Sequence, residues 1–251
     1  MVMSDVVKLE YFNPAIAVIT MMDKENKNTF SRALMAGLNA CLSSAQENQD
    51  TKVIVLQGYD TYFCCGGTKE DLLKLADGQI TFTDIPIYRL LLDCELPIIA
   101  AMQGHALGGG LAFSSFADIM VMAEEATYAS NFLKYGFTPG FGATYIMPKK
   151  FGNVLGAEML YTAQEYEGRE LKQRNVPLRI VKKAEVLPTA LNLAKELSDK
   201  PRVSLQLLKK HLVQQITKEL PHYIEQELAM HKVTFNTPET KALINKLFGE
   251  Y

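Results

Sequence analysis

The chain has 251 residues, 48% hydrophobic and 22% charged, a balance that fits a soluble globular protein with one large core or two modest ones. Its formal net charge of -2 argues against nucleic acid or an anionic membrane as partner. The longest apolar runs are broken by Glu, Gln, His and Gly, and the opening MVMSDVVKLEYF lacks a signal-peptide core, so a cytoplasmic protein without a membrane span is expected.

Strand-like and helix-like stretches alternate through the first half. AIAVITM (15–21) reads as a strand, and the stretch 29–48 as a helix, with Phe30, Leu34, Leu38 and Leu42 at helical spacing and Ser31 as its cap. KVIVLQG (52–58) is a continuous apolar run of the kind found in parallel strands covered on both faces. A polar helix, TKEDLLKLADG, follows; then come LPIIAAMQG (96–104), a helix opened by glycines, and ADIMVMAE (117–124). This alternation predicts an α/β domain around a parallel sheet. No repeat with a period of about 20–50 residues stands out. Beyond about residue 150 the spacing turns helical, with Pro201 and Pro221 where helices would start.

Cys41, Cys64, Cys65 and Cys94 have neither zinc nor redox spacing and read as free thiols in a reducing compartment; no metal site is expected. Ser114 and Ser115 fall inside a helix rather than in a nucleophile elbow.

Two stretches pass from a strand into a helix through small residues: GYDTYFCCGGTKEDL (58–72) and HALGGGLAFSSFADI (105–119). The second lacks the frame of a phosphate loop or a dinucleotide fingerprint. Two readings stay open: glycines that permit close helix-strand packing, or two turns whose amides converge on one carbonyl oxygen as an oxyanion hole.

YFCCGGTKEDL, PIIAAMQGHALGGGLAFSSFADIMVMAE, ASNFLKYGFTPGFGATYIMPKKFG and AEMLYTAQEYEGRELKQRNVPLRIV together resemble the crotonase (enoyl-CoA hydratase/isomerase) superfamily over nearly the whole chain. The resemblance implies an α/β fold, a crotonase-like ββα spiral over residues 1–195 with a C-terminal helical region over 196–251, assembled as a trimer or dimer of trimers. It implies that the amides of Gly67 and Gly109 form the oxyanion hole for a thioester carbonyl, with no cofactor. Hydratases of this family use two glutamates; the matching positions here are Ala112 and Phe132, which cannot move protons, and neighbouring Asn131 cannot replace them.

This departure, with MQGHALGGG, NFLKYGFTPGFGAT and IEQELAMHKVTF, resembles the decarboxylases of polyketide β-branching cassettes. That likeness implies a 3-methylglutaconyl thioester on the phosphopantetheine arm of an acyl carrier protein. It also implies a functional histidine on the C-terminal helix, His231, and a lysine after the first oxyanion loop, Lys74 or Lys69; by helical spacing Glu227, one turn before His231, is expected to hold its ring. Tyr62 is expected in the substrate pocket, His105 behind the glycine turn, and His211 and His222 at the surface. An enoyl thioester isomerase and a non-catalytic acyl-carrier or acyl-CoA binding subunit are the alternatives.

Overall fold

The computed structural model describes residues 5–85 and 87–248. β1 (Val7–Asn13) and β2 (Ile16–Met21) form an antiparallel hairpin. α1 (Arg32–Glu47) starts where the Ser31 hydroxyl accepts from the Leu34 amide at 3.1 Å, and it buries Leu34, Leu38, Cys41, Leu42 and Ala45 along one stripe. β3 (Val53–Gln57) is the predicted apolar strand, with Val53 to Leu56 buried. β4 (Tyr62–Cys64) and α2 (Lys69–Ala76) follow, α2 capped by Thr68.

A 3-10 turn (Phe82–Asp84) and α3 (Ile87–Asp93) lead to β5 (Ile98–Met102), β6 (His105–Leu107) and α4 (Gly109–Ser114). Then come β7 (Ile119–Ala123), β8 (Thr127–Ala129), α5 (Ala143–Phe151) and α6 (Asn153–Thr162). β9 (Glu165–Glu167), α7 (Gly168–Gln173) and β10 (Arg179–Val181) close the sheets.

One sheet has the order β1-β2-β3-β5-β7-β10 and is parallel from β2 onward; the other has the order β4-β6-β8-β9. Each turn of the chain lays one strand in each sheet and returns by a helix, giving β3-β4-α2, β5-β6-α4 and β7-β8-α5. This is the expected ββα spiral. Its period is uneven: Ile54 pairs with Ile98, whereas Ile99 pairs with Ile119. That unevenness is why no repeat shows in the sequence.

The C-terminal layer comprises α8 (Lys183–Ser198), α9 (Arg202–Thr234) and α10 (Pro238–Leu247). Pro201 caps α9 as expected, but Pro221 starts nothing; it lies inside the same helix. An internal proline costs about 3 kcal/mol, and burial of Leu220 and Ile224 on either side offsets it. The same helix is anchored by Lys209, whose buried ammonium donates to the carbonyls of Leu91 and Leu96 at 3.0 and 2.9 Å and pairs with Asp118 at 2.8 Å. The four cysteines are free, and all but Cys65 are buried.

Candidate active site

The three glycines at 108–110 each answer a separate steric demand. Gly108 takes φ +53, and a Cβ there would lie 2.5 Å from Asn131 Oδ1. A Cβ on Gly109 would come within 3.4 Å of Gly66 Cα, and one on Gly110 would stand 2.1 Å from the Cys64 carbonyl oxygen. The first turn of α4 therefore rests directly on the backbone of residues 64–66. Gly109 is the first residue of α4, so its N–H has no intrahelical carbonyl to reach.

Gly67 and Gly109 line one cleft of about 730 Å³, a volume suited to a small acyl ligand. Phe132, Phe137 and Phe141 give it an apolar wall, with Asn131 beside them. Lys27, Arg32, Lys69 and Lys74 stand at its rim together with Glu25, Glu70 and Asp71. The Lys74 ammonium pairs with Glu70, whose carboxyl it holds below the ordinary range, while Lys69 reaches the Asn245 carbonyl on α10 at 3.4 Å. The structure thus brings Gly67, Gly109, Lys69, Lys74, Asn131 and Phe132 together.

Three other expected residues lie outside the lining of that cleft. Ala112 is buried one turn deeper in α4. Tyr62 turns its ring toward His105, 5.3 Å between centroids, with Lys27 Nζ 5.4 Å above it. His105 does not brace the glycine turn; its Nδ1 accepts from the Thr127 amide at 2.9 Å, joining β6 to β8.

His231 lies behind the cleft in a separate chamber, too tight to hold a water molecule, that it shares with Phe82, Phe141, Ile224, Glu227 and Leu228. Phe82 and Phe141 line both spaces and form the partition between them. The imidazole Nε2 sits 2.9 Å from the Thr138 carbonyl and 3.0 Å from that of Pro139; both are acceptors, so Nε2 carries the proton. Nδ1 is buried without a partner among the described residues. Burial pulls the ring down to about 4 even though both carbonyls favour its charged form, so it is neutral at pH 7.

Glu227 does not hold this ring. Its carboxylate accepts from the amides of Gly142 and Thr144 at 2.8 and 2.9 Å and from the Thr144 hydroxyl at 2.6 Å, capping the start of α5. Burial pushes the Glu227 carboxyl up despite these donors. His211 and His222 are exposed, as expected.

Sequence reasoning missed Phe82 and Phe141. The Gly/Pro density of GFTPGFGAT was the available signal, because Phe141 takes φ +59, an unusual conformation for a bulky residue.

A family model described as enoyl-CoA hydratase/isomerase matches residues 11–248. The chain is 48% identical to the bacillaene synthase decarboxylase PksI of Bacillus subtilis (strain 168), over 97% of this chain and 98% of that one. A solved structure from a dehydratase/decarboxylase enzyme couple involved in polyketide beta-branching superposes with TM-score 0.94 at 47% identity, covering 97% and 96% of the two chains. The ECH2 decarboxylase domain of CurF from Lyngbya majuscula superposes with TM-score 0.94 at 41% identity, covering 98% and 100%.

Proposed function

The chain belongs to the enoyl-CoA hydratase/isomerase family, and from that premise we propose that it removes CO2 from a 3-methylglutaconyl thioester held on the phosphopantetheine arm of an acyl carrier protein. One observation carries this reading: Gly67 and Gly109 line one cleft, and the two positions where hydratases keep a glutamate are Phe132 in its wall and the buried Ala112 behind it, so no carboxylate is supplied there for water addition. The polyketide decarboxylases among its relatives support the same reading.

The C4–carboxyl bond breaks, and its electron pair moves through the C2=C3 double bond onto the thioester oxygen as a dienolate. Amide donors aimed at that oxygen stabilise charge that develops as the reaction proceeds, and each is worth roughly 3–4 kcal/mol in comparable sites. Lys74, with Lys69 as the second candidate, positions the carboxylate at the rim without neutralising it so tightly that the ground state gains. His231 governs the proton that returns to carbon, giving a 3-methylcrotonyl-type thioester. Its resting ring is neutral, so it takes up a proton from solvent at Nδ1 before passing one to the dienolate carbon.

The rim carries four cations, Lys27, Arg32, Lys69 and Lys74, against three carboxylates, a slight basic excess to meet an acidic carrier protein. Exposed Val203, Leu207, Leu208 and Leu212 on α9 support assembly as a cytoplasmic homotrimer or dimer of trimers through the helical region 196–251. The test is mass spectrometry of 3-methylglutaconyl-loaded carrier protein. Loss of one CO2 supports the reading, whereas an unchanged mass, by isomerisation or by binding alone, sinks it.

A further inference from the structure

We infer that Phe82 determines access to His231: its ring is a movable partition, and the acyl chain reaches the imidazole only when that ring swings out of the space between the two chambers. The inference rests on the reading of the cleft given above. His231 Nδ1 is a buried lone pair with no partner among the described residues, in a chamber without room for water, so none of them uses it in the closed arrangement. A group with that much unused hydrogen-bonding capacity is costly unless another state of the protein engages it.

Both rings that screen it are buried, and Phe82 packs on Phe137 and Phe235 as well, but the backbones that carry the two rings are held very differently. Phe141 is fixed from both sides. Its backbone is in the left-handed region, the next amide, Gly142 N–H, is gripped by Glu227, and its ring packs on Phe30 with centroids 5.5 Å apart. Phe82 sits on a three-residue turn closed by Thr81 and Asp84, both exposed, with the Asp84 carboxylate accepting from the Thr81 amide at 2.6 Å. Its ring reaches inward to lie 4.5 Å from the His231 centroid and 4.4 Å from that of Phe141. Gly140 makes this closeness possible, since a Cβ there would meet His231 Cε1 at 2.6 Å and Phe82 Cδ2 at 2.9 Å. Phe82 is therefore the leaf that moves and Phe141 the post, and a short branched acyl chain can fill the space that one phenyl ring vacates.

The test needs no turnover. Diethyl pyrocarbonate acylates neutral imidazole nitrogens, and peptide mapping reads each histidine separately. In the wild-type protein His231 is expected to react at least about tenfold more slowly than His211 and His222, as a group reached only through local opening does. Phe82→Ala should raise the His231 rate about tenfold and leave His105 unchanged. Phe82→Leu, which keeps more of the packing, should fall between, and melting temperatures confirm that each variant is folded. If folded Phe82→Ala and Phe82→Leu both keep the wild-type His231 rate, or if wild-type His231 reacts as fast as His222, the inference is overturned. Labelling as expected in a protein that releases no CO2 would sink the proposed reaction and leave the partition standing.

Discussion

Glu227 and His231, one turn apart on α9, grip the same loop from opposite ends and do not bond each other. The carboxylate accepts from Gly142 and Thr144, while the imidazole donates to the carbonyls of Thr138 and Pro139. Between these two clamps the chain takes the left-handed turn that sets Phe141 against the cleft. A helix face that reads as one catalytic group and its orienter is, in the folded chain, a two-point clasp on the loop that walls the site.

Removing the carboxylate clamp tests how much of the fold it carries. Glu227→Ala strands the Gly142 and Thr144 donors in a buried place, and the expected loss is about 2–3 kcal/mol of unfolding free energy. Glu227→Gln should lose less, because one amide oxygen still accepts while its NH2 faces the remaining donor. Urea unfolding measures both, and equal losses for Ala and Gln would show that volume rather than hydrogen bonding matters.

The imidazole clamp predicts a pH dependence of stability. His231 is depressed to about 4 in the folded protein against 6.5 as its ordinary value, so the unfolded chain binds the extra proton first as pH falls. Its contribution is fully present above about pH 6.5 and is lost as pH drops toward 4, a decline of roughly 3 kcal/mol over that window. His231→Gln should flatten this part of the wild-type profile. Parallel profiles from pH 7 to 4.5 for the two proteins would show that the ring is not held neutral.

What was legible in the sequence follows element length. α1 announced itself through Leu34, Leu38 and Leu42 with Ser31 ahead of them, and β3 and β5 through apolar runs long enough to show a pattern. β4, β6, β8 and β9 have three residues each, too few for any period to register, yet β4 and β6 carry the cleft-forming turns. β1 went unread because only Val7 and Leu9 of its seven residues are buried. The glycine turns were readable because backbone contact excludes every side chain, and the importance of His231 came from family likeness. The position of His231 behind Phe82 was not readable, since it depends on three segments far apart in sequence that meet only in the folded chain.

The glycine contacts separate shape from chemistry. Gly110→Ala would drive a methyl group into the Cys64 carbonyl, forcing α4 away from the first loop. Gly67→Ala meets only the Leu72 side chain, at 3.5 Å. We expect Gly110→Ala to lower turnover by roughly 10²–10³, the loss associated with one misplaced oxyanion donor, and Gly67→Ala to remain close to wild type. Steady-state rates on the loaded carrier protein read this directly. If the order were reversed, α4 would not be placed by its contact with residue 64.

The two rim lysines differ in what the substrate must displace. Lys74 already faces a carboxylate, Glu70, so an arriving carboxylate exchanges one acidic partner for another. Lys69 reaches instead to the Asn245 carbonyl on α10 at 3.4 Å. Lys74→Ala should therefore cost roughly tenfold in turnover, about 1.4 kcal/mol of barrier, with Lys69→Ala within twofold of wild type by the same estimate. Stability should change by less than about 0.5 kcal/mol in both, as for other surface ion pairs. Glu70→Gln separates positioning from bulk charge, because it frees the Lys74 ammonium without altering its reach. If Lys74 positions the substrate, this variant lowers KM and leaves kcat little changed. Wild-type turnover in Lys74→Ala together with its loss in Lys69→Ala would move the role one turn back along α2.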